Sequence, residues 1–444
     1  MRLGVIIAAV LVVAVSVADD APRPISLPEA IRLALKNNPD LATAQQHVNV
    51  ARAGIQQTEA ALWPQVRLSG SYVGSDNPVQ AFMMTLNQRA FSFAGNFNHP
   101  DTTDNLNGKV LAQWSLYDGG QSLATRQAAK LSTAATTQTF GAARNDLVYE
   151  VTRAFYTIGK AREFVSVATA AVGNMAANVA VASNRFVAGQ ALKTDWLDAQ
   201  VHLAESQENL IRARNAVALS EVVLRAVIGV GEKVNVTAES SAVVERASRP
   251  FTIDEPNGRD ARSTIARPEL AAAHTAVAAA DRQVRAAQAG YIPRLNAFAS
   301  YDLDSGNGTR YADSWLAGVS VDLNLFDGFL TRGKVAEARA NLAAAREQER
   351  KVALAVDLEI RQAQLNLKEI QARLATTGKS VEQAEESVQI TKDRYAAGLA
   401  LLTQLLDAEN ALTAARQRRA AAETDLLIAR AAREHALGQT WKDQ

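Results

Sequence analysis

The sequence contains no cysteine and few glycine, proline or aromatic residues. Its 444 residues include 24 Gly and 11 Pro, and aromatic residues make up 6%. The lack of cysteine excludes disulfides, thiol catalysis, iron–sulfur clusters and Cys-type zinc sites. It also predicts that the protein is not lipid-anchored, because the lipid anchor of an exported bacterial protein needs a cysteine. Few helix breakers favour long uninterrupted helices, and few aromatics argue against a thick conventional core.

The sequence also has no excess of positive or of negative charge. The chain has 47 Lys+Arg against 46 Asp+Glu, whereas a nucleic-acid surface needs a basic excess. The five histidines are scattered and do not repeat along the chain, and no phosphate loop is present. We therefore expect no enzyme, no cofactor, no metal site and no nucleic-acid partner.

Residues 1–18 have the pattern of a signal peptide. A charged start at Arg2 precedes an apolar run from Leu3 to Val15, and Ser16-Val17-Ala18 supplies a small-residue cleavage site. The run is shorter than the roughly 20 residues of a spanning helix. The pattern predicts cleavage after Ala18 and an exported mature protein without a transmembrane helix.

The rest of the chain is a tandem repeat. Asn38-Pro39-Asp40-Leu41 recurs as Arg267-Pro268-Glu269-Leu270, and Leu116-Tyr117-Asp118-Gly119 recurs as Leu325-Phe326-Asp327-Gly328. From the Asp-Gly motif onward the two halves match without a gap, which chance does not give. The match predicts a first repeat at 19–229, a linker at 230–264, a second repeat at 265–438 and a tail at 439–444.

Each half reads as helix, β-hairpin, very long helix and helix. Val319, Val321, Leu323 and Leu325 alternate with polar residues in a segment of membrane-strand length. Such a segment fits a membrane strand or a soluble hairpin, and the signal peptide favours the outer membrane. Two hairpins supply four strands, too few to close a barrel, so other copies of the chain must complete it.

The long helices have coiled-coil spacing and extend from each Asp-Gly motif to an Arg-aromatic-x-x-Gly turn. The spacing predicts a helix of roughly 100 Å at 1.5 Å per residue, beside which two shorter helices stack end to end. The seam in the second half is Ala353, Val356, Ile360, Ala363, Leu367, Ile370 and Leu374. The predicted fold class is mainly α, a long-helix α-barrel with four β-strands per chain that contribute to a transmembrane β-barrel. The alternative is a periplasmic coiled-coil structural or adaptor protein that enters no membrane.

These motifs resemble the TolC-like outer-membrane efflux protein family. The resemblance rests on Leu27-Pro28-Glu29-Ala30, the Asn38-Pro39-Asp40-Leu41 segment, the two Asp-Gly motifs and the two turns. It implies a homotrimer in the outer membrane of a Gram-negative bacterium, in contact with its lipid and extended by a long periplasmic tunnel. It also implies a passive exit duct of a tripartite efflux or type I secretion system. Such a duct docks with a periplasmic adaptor and an inner-membrane pump of the RND or ABC type.

The resemblance further implies roles for residues at the two turns. The aperture or gate residues are Asp407, Gln404, Asp195 and Tyr395, and the adaptor-contacting residues are Arg185, Gly189, Arg394 and Gly398. Gln404 stands where the family has a second aperture acid, and Ala400 where it has a gate-locking Arg. Structural explanations stay open: a sharp turn needs Gly by itself, and Asp407 fits a solvated or capping residue.

An insertion in the first half lies roughly between Ser75 and Gly108, in a predicted extracellular loop. It concentrates apolar side chains beside polar ones: Phe82, Met83, Met84, Phe91, Phe93 and Phe97. The loop fits a lid over the pore or mutual packing for stability, and mutual packing is favoured. The cargo and the particular pump are not encoded in any motif.

Overall fold

A computed structural model of the chain describes residues 23–93, 98–231, 236–238 and 267–438. The predicted signal peptide, most of the predicted linker, Phe97 and the tail 439–444 lie outside these residues. The helices are α1 Leu27–Asn37, α2 Pro39–Ala60, α3 Pro78–Asn87, α4 Gln121–Val187, α5 Lys193–Ile228, α6 Pro268–Gln288, α7 Leu330–Ala396 and α8 Leu402–Ala436. The strands are β1 Arg23–Ile25, β2 Gln65–Ser75, β3 Thr103–Tyr117, β4 Val236–Ala238, β5 Arg294–Ser305 and β6 Ala312–Asp322.

Two long helices carry the fold. α4 and α7 are 67 residues each, which corresponds to roughly 100 Å. Both begin just after an Asp-Gly motif and end just before a turn glycine, as the repeat predicts. Their heptad seams are buried or half-buried; Val151 and Ile158 of α4 are 0% exposed and Val356 of α7 is 3% exposed.

The shorter helices fill the wall beside the long ones. Nearer the strands the neighbours are α2, α4, α6 and α7, in that order, and nearer the turns they are α5, α4, α8 and α7. α2 and α5 thus lie end to end along one side of α4, and α6 and α8 lie end to end between α4 and α7. This arrangement is a wall one helix thick, which explains the shortage of large aromatic core residues.

The two end-to-end junctions are pinned by the residue that precedes each proline. Asn38 caps α2 through its Oδ1, and its Nδ2 donates to the Val227 carbonyl at the end of α5, at 2.8 Å. Arg267, directly before α6, donates to the His435 and Ala436 carbonyls at the end of α8, both at 2.9 Å. Each side chain therefore joins the start of one helix to the orphan carbonyls of another.

Gly229 lies at the first junction, and its surroundings predict that alanine there costs more stability than alanine at Gly189. Its φ is +77°, and a Cβ there would lie 2.6 Å from the Asn37 carbonyl oxygen. Gly189 has φ +70° with nothing within 4 Å of a Cβ. Gly229→Ala should cost more than the roughly 1–2 kcal/mol of left-handed strain, whereas Gly189→Ala should cost that strain alone. Heat dissociation of the detergent-solubilised protein measures both; equal effects would contradict the contact argument.

The four longer strands form one antiparallel sheet in the order β2-β3-β5-β6. β3 and β5, one from each half, pair at its centre, with Val110 opposite Tyr301. Within the described residues β2 and β6 each pair on one side only, so the sheet is open at both edges.

The two faces of this sheet differ in chemistry. On one face the apolar side chains point into solvent, with Leu68 79% and Trp315 76% exposed. The other members of this face include Val66, Tyr72, Leu106, Val110, Trp114, Tyr301, Val319 and Val321. The opposite face is polar: Asn105 donates to Asp304 at 2.7 Å, and Lys109 lies 3.4 Å from Asp302. Such an alternation is that of membrane strands around a polar lumen.

Three features differ from the sequence expectations. β1 and β4 form a short parallel pair. The sequence did not predict this pair, because three residues are too few to show an alternating pattern. The insertion contains the helix α3, and Thr103 to Gly108 belong to β3 instead of the loop. An 18-residue window of α4 has a mean hydropathy of 1.5 and by composition is apolar enough to cross a membrane. That window lies within the wall helix described above, and 28% of its residues are buried inside the protomer.

Candidate functional site at the helix turns and the strand loop

The turns that end α4 and α7 have the same backbone geometry. Gly189 and Gly398 have φ of +70° and +75°. The N–H groups of Gln190 and Leu399 donate to the carbonyls of Arg185 and Arg394, both at 2.8 Å. This is the Schellman arrangement, in which the glycine adopts a left-handed conformation so that the last carbonyls are satisfied. Backbone geometry alone therefore requires both glycines, whatever they contact outside the chain.

Asp195 and Gln404 occupy equivalent positions in the first turns of α5 and α8. The Leu192 N–H donates to Asp195 Oδ2 and the Leu401 N–H donates to Gln404 Oε1, each at 3.3 Å. Both side chains thus fold back on the N-terminus of their own helix, and a carboxylate there is also favoured by the helix dipole. Gln404 makes the same hydrogen bond as Asp195 without the negative charge.

Tyr395 and Arg185 connect the two turns. The Arg185 guanidinium lies 4.2 Å from the centre of the Tyr395 ring, and its Nη2 donates to the Ala396 carbonyl at 3.0 Å. Tyr395 is 8% exposed. It belongs to a buried cluster that we call the tip core: Met175, Ala182, Ala199, Tyr395, Leu402, Leu405 and Leu406. The predicted gate aromatic is therefore a packing residue of this protomer, and Arg185 holds the first turn to the second.

Asp407 is exposed on α8, and so are its register counterpart Asp198 on α5 and Arg394 on α7. The end of the molecule around them also exposes apolar side chains. Val187 is 82% exposed and Leu399 71%, and Leu192 and Leu401 are close to 70%. An exposed apolar patch rimmed by charge is typical of a protein-interaction surface.

The loop between β2 and β3 lies at the other end of the molecule. Phe82 and Phe93 each meet the Phe91 ring edge-to-face, at 5.2 and 5.0 Å, while Met83 is exposed and Met84 is half-buried. Gln88 donates to the Asp104 carbonyl and to Asn105 Oδ1, at 2.7 and 2.9 Å. The aromatic side chains thus pack on one another, and the end of α3 is tied to the polar face of the sheet.

A further cluster lies at the α6–α8 junction, and sequence reasoning missed it. Arg267 is 4% exposed and also binds Glu359 at 2.6 Å, and His435 lies 3.1 Å from Glu359 and 2.7 Å from Asp146. Hydrogen bonds to Asp146 and then Glu359 raise the pKa of His435 to about 9. Hydrogen bonds from His435 and then Arg267 lower the pKa of Glu359 to about 2. The internal repeat aligned Arg267 with Asn38, but no local sequence pattern indicated a role for His435.

The fold and its two ends define a class of protein. A one-helix-thick wall of about 100 Å that carries an open, outwardly apolar sheet at one end is the protomer of an outer-membrane channel with a helical tunnel. The model of the family described as outer membrane efflux protein matches residues 30–230 and 262–439. The chain belongs to this family.

Individual relatives agree with this assignment. The chain is 27% identical over 405 residues to protein CyaE of Bordetella pertussis, covering 89% of this chain and 80% of CyaE. It is 23% identical over 443 residues to the outer membrane efflux protein BepC of Brucella suis, covering 98% and 90%. The solved structure of CusC superposes with a TM-score of 0.82 at 18% identity, covering 95% of each chain.

These findings confirm the fold class, the outer-membrane location and the efflux-channel function expected from the sequence. Channels of this fold are trimeric α-barrels with a β-barrel transmembrane part, and family members work with adaptor proteins and inner-membrane pumps. The family is one of channels, not of enzymes. The periplasmic coiled-coil alternative is not supported.

Proposed function

We propose that three copies of this chain form a passive exit duct that docks at its helical tip with a periplasmic adaptor and an inner-membrane pump. The observation that carries the proposal is the sheet with two open edges and one apolar face. In lipid an unpaired strand edge leaves backbone groups without partners, at several kcal/mol each. Pairing β6 of one copy with β2 of the next removes every edge.

The helical wall supports the same assembly. Its two lateral edges, α2 and α5 on one side and α7 on the other, expose apolar side chains. Ile211 of α5 is 66% exposed and Leu365 of α7 is 69% exposed. Facing one another across a joint between copies, these rows would supply the contacts that a single protomer lacks.

The exposed apolar tip is the surface we assign to the adaptor. It combines Val187, Leu192, Leu399 and Leu401 with the exposed Arg394, while Gly189 and Gly398 shape the two turns. The apolar side chains would bury against adaptor helices and Arg394 would pair with an acid there.

Assembly and location are tested together. The full chain, expressed in a Gram-negative host, should sediment with outer membranes and run as a trimer on gels unless heated. In planar bilayers the purified trimer should conduct ions. A soluble periplasmic monomer without conductance would overturn the proposal.

Asp407 is the residue we assign to ion selectivity at the tip. Three exposed carboxylates around a narrow aperture attract cations, so Asp407→Asn should lower cation-over-anion permeability by roughly two- to five-fold. Asp198→Asn removes the same charge at the register counterpart and serves as the control. Reversal potentials in a salt gradient give the ratio. Unchanged selectivity in Asp407→Asn, or an equal loss in Asp198→Asn, would rule out the assignment.

A further inference from the structure

Glu409 is a buried acid in the apolar contact between α8 and its neighbours, two residues after Asp407. It is 6% exposed, and its Oε2 has no hydrogen-bond partner. Asn178 of α4 faces this carboxyl and is 7% exposed, but its Nδ2 lies outside hydrogen-bond geometry and has no partner either. Burial of an uncompensated charge is costly, and a carboxyl group in such a place avoids the cost by binding a proton.

The surroundings of Glu409 are mainly apolar, with one polar and one charged side chain from the helices packed against it. Along α8 it lies between the tip core and a second cluster of Val381, Leu412 and Ala415. α5 contributes the uncharged Ala199 to the tip core, and α4 contributes Asn178. The charged group that acts on Glu409 is Lys392 of α7, which is exposed. Desolvation by burial raises the pKa of Glu409, and Asn178 and Lys392 oppose this only in part.

We infer that Glu409 is a proton-linked latch of the tip: it binds a proton when α8 packs against α4 and releases it when the two helices separate. This inference rests on the proposed channel function, since the tip must open for cargo to pass. A neutral carboxyl fits the apolar seam, whereas a carboxylate gains hydration only when α8 moves away from α4. Proton uptake and packing are therefore coupled by linkage.

The sign of the coupling follows from the direction of the shift. In the separated state Glu409 is hydrated and ionises at its ordinary pKa, while in the packed state its pKa is raised. At low pH Glu409 is protonated, so the packed tip carries no cost of a buried carboxylate. The packed tip becomes less stable as the pH rises through the raised pKa. Acid closes the tip and neutral or alkaline solution favours opening.

The latch belongs to the second repeat alone. The register counterpart of Glu409 in α5 is Gln200, which is uncharged and exposed. Asp407, two residues earlier on α8, is exposed, so its carboxyl group stays in contact with water in the packed state. The proton-sensitive contact is therefore the one between α4 and α8 instead of the one between α4 and α5.

Single-channel recording of the full-length trimer in phosphatidylcholine bilayers tests the latch. The open probability of the wild type should rise about threefold or more between about pH 5 and about pH 8. Glu409→Gln, which mimics the protonated acid in shape, should stay at the low-pH level throughout. Lys392→Gln changes an exposed residue and should move the transition to higher pH, because a cation that favours the carboxylate is lost. Glu386→Gln removes an exposed acid of α7 and should titrate like the wild type.

The possible outcomes separate the latch from the channel function. Absence of conductance at every pH would overturn the proposed function. Conductance that does not depend on pH, or that titrates identically in the wild type and Glu409→Gln, would overturn the latch while the duct stands. An unshifted transition in Lys392→Gln would remove the assignment of Glu409 as the titrating group.

Discussion

Replacing Arg267 with alanine is expected to destabilise the assembled protein by about 2–4 kcal/mol, because two helix-end carbonyls lose a charged donor and two partly exposed carboxylates lose their cation. The side chain is 5% exposed and lies within 3.1 Å of the carboxylates of both Glu269 and Glu359. It also satisfies the His435 and Ala436 carbonyls at the end of α8. Its removal leaves these acceptors without their donor and releases the end-to-end contact of α6 with α8. The urea concentration at half-unfolding of the detergent-solubilised protein measures the loss.

Two matched variants show whether the junction itself is responsible. Asn38→Ala removes the equivalent pin in the first repeat, which is a neutral hydrogen bond plus a helix cap, and should cost about 1–2 kcal/mol. Arg346→Ala removes an exposed arginine of α7 and should change stability by less than about 0.5 kcal/mol. If Arg267→Ala proved no more harmful than Arg346→Ala, the pinning role would be wrong.

The long helices and their register were accessible to sequence reasoning because their causes are local and periodic. The shortage of Gly and Pro, the heptad spacing and the constant offset after the Asp-Gly motif predicted two long helices of equal length. Both measure 67 residues. The alternation likewise predicted the strand that became β6, which contains Val319 and Val321 but ends at Asp322, before Leu323 and Leu325.

The sequence repeat identified the residues at the two junctions, but it did not predict that they join one helix to another. Asn38 and Arg267 were matched by the repeat, but the carbonyls they bind lie 189 and 168 residues away in sequence. His435 carries no local signal at all, since its partners Asp146 and Glu359 come from two other helices. Contacts of this range depend on how the wall helices are arranged, which periodicity does not encode.

The turns were predicted in position and only partly in chemistry. The Arg-aromatic-x-x-Gly pattern located both left-handed glycines because the Schellman geometry is a local requirement. That Asp195 and Gln404 fold back on their own helices, and that Tyr395 is buried beneath Arg185, depends on packing between the two halves. Glu409 was overlooked for the same reason, since on a helical wheel it is one more acid in a polar helix.

The two repeats are alike in backbone and unlike in electrostatics. The first junction is held by the neutral Asn38, whereas the second is held by Arg267, Glu359 and His435. The buried acid near the tip, Glu409, also lies in the second repeat. Charged, titratable contacts are thus concentrated where α8 meets α4, α6 and α7, so pH should act on this half of the protomer more than on the other.

Stability should fall in alkali through His435. Its pKa is raised to about 9 by Asp146 and Glu359, so its contribution is complete below about pH 6.5 and is lost as the pH rises through about 9. Glu359, with a pKa of about 2, contributes above about pH 4.5 and loses its contribution only as the pH falls through about 2. Both contributions to stability are therefore complete between about pH 4.5 and about pH 6.5.

The wild type should lose on the order of 2 kcal/mol between about pH 6.5 and about pH 9.5 that His435→Gln does not lose, with Asp146 more than half exposed and hence partly screened. Urea unfolding at a series of pH values measures the difference between the two proteins, in which the titration of the other groups cancels. His274→Gln removes a histidine whose side chain is 78% exposed and which is also paired with a glutamate, and should follow the wild type. Parallel curves for the wild type and His435→Gln would show that the cluster holds the junction by packing and neutral hydrogen bonds instead of by charge.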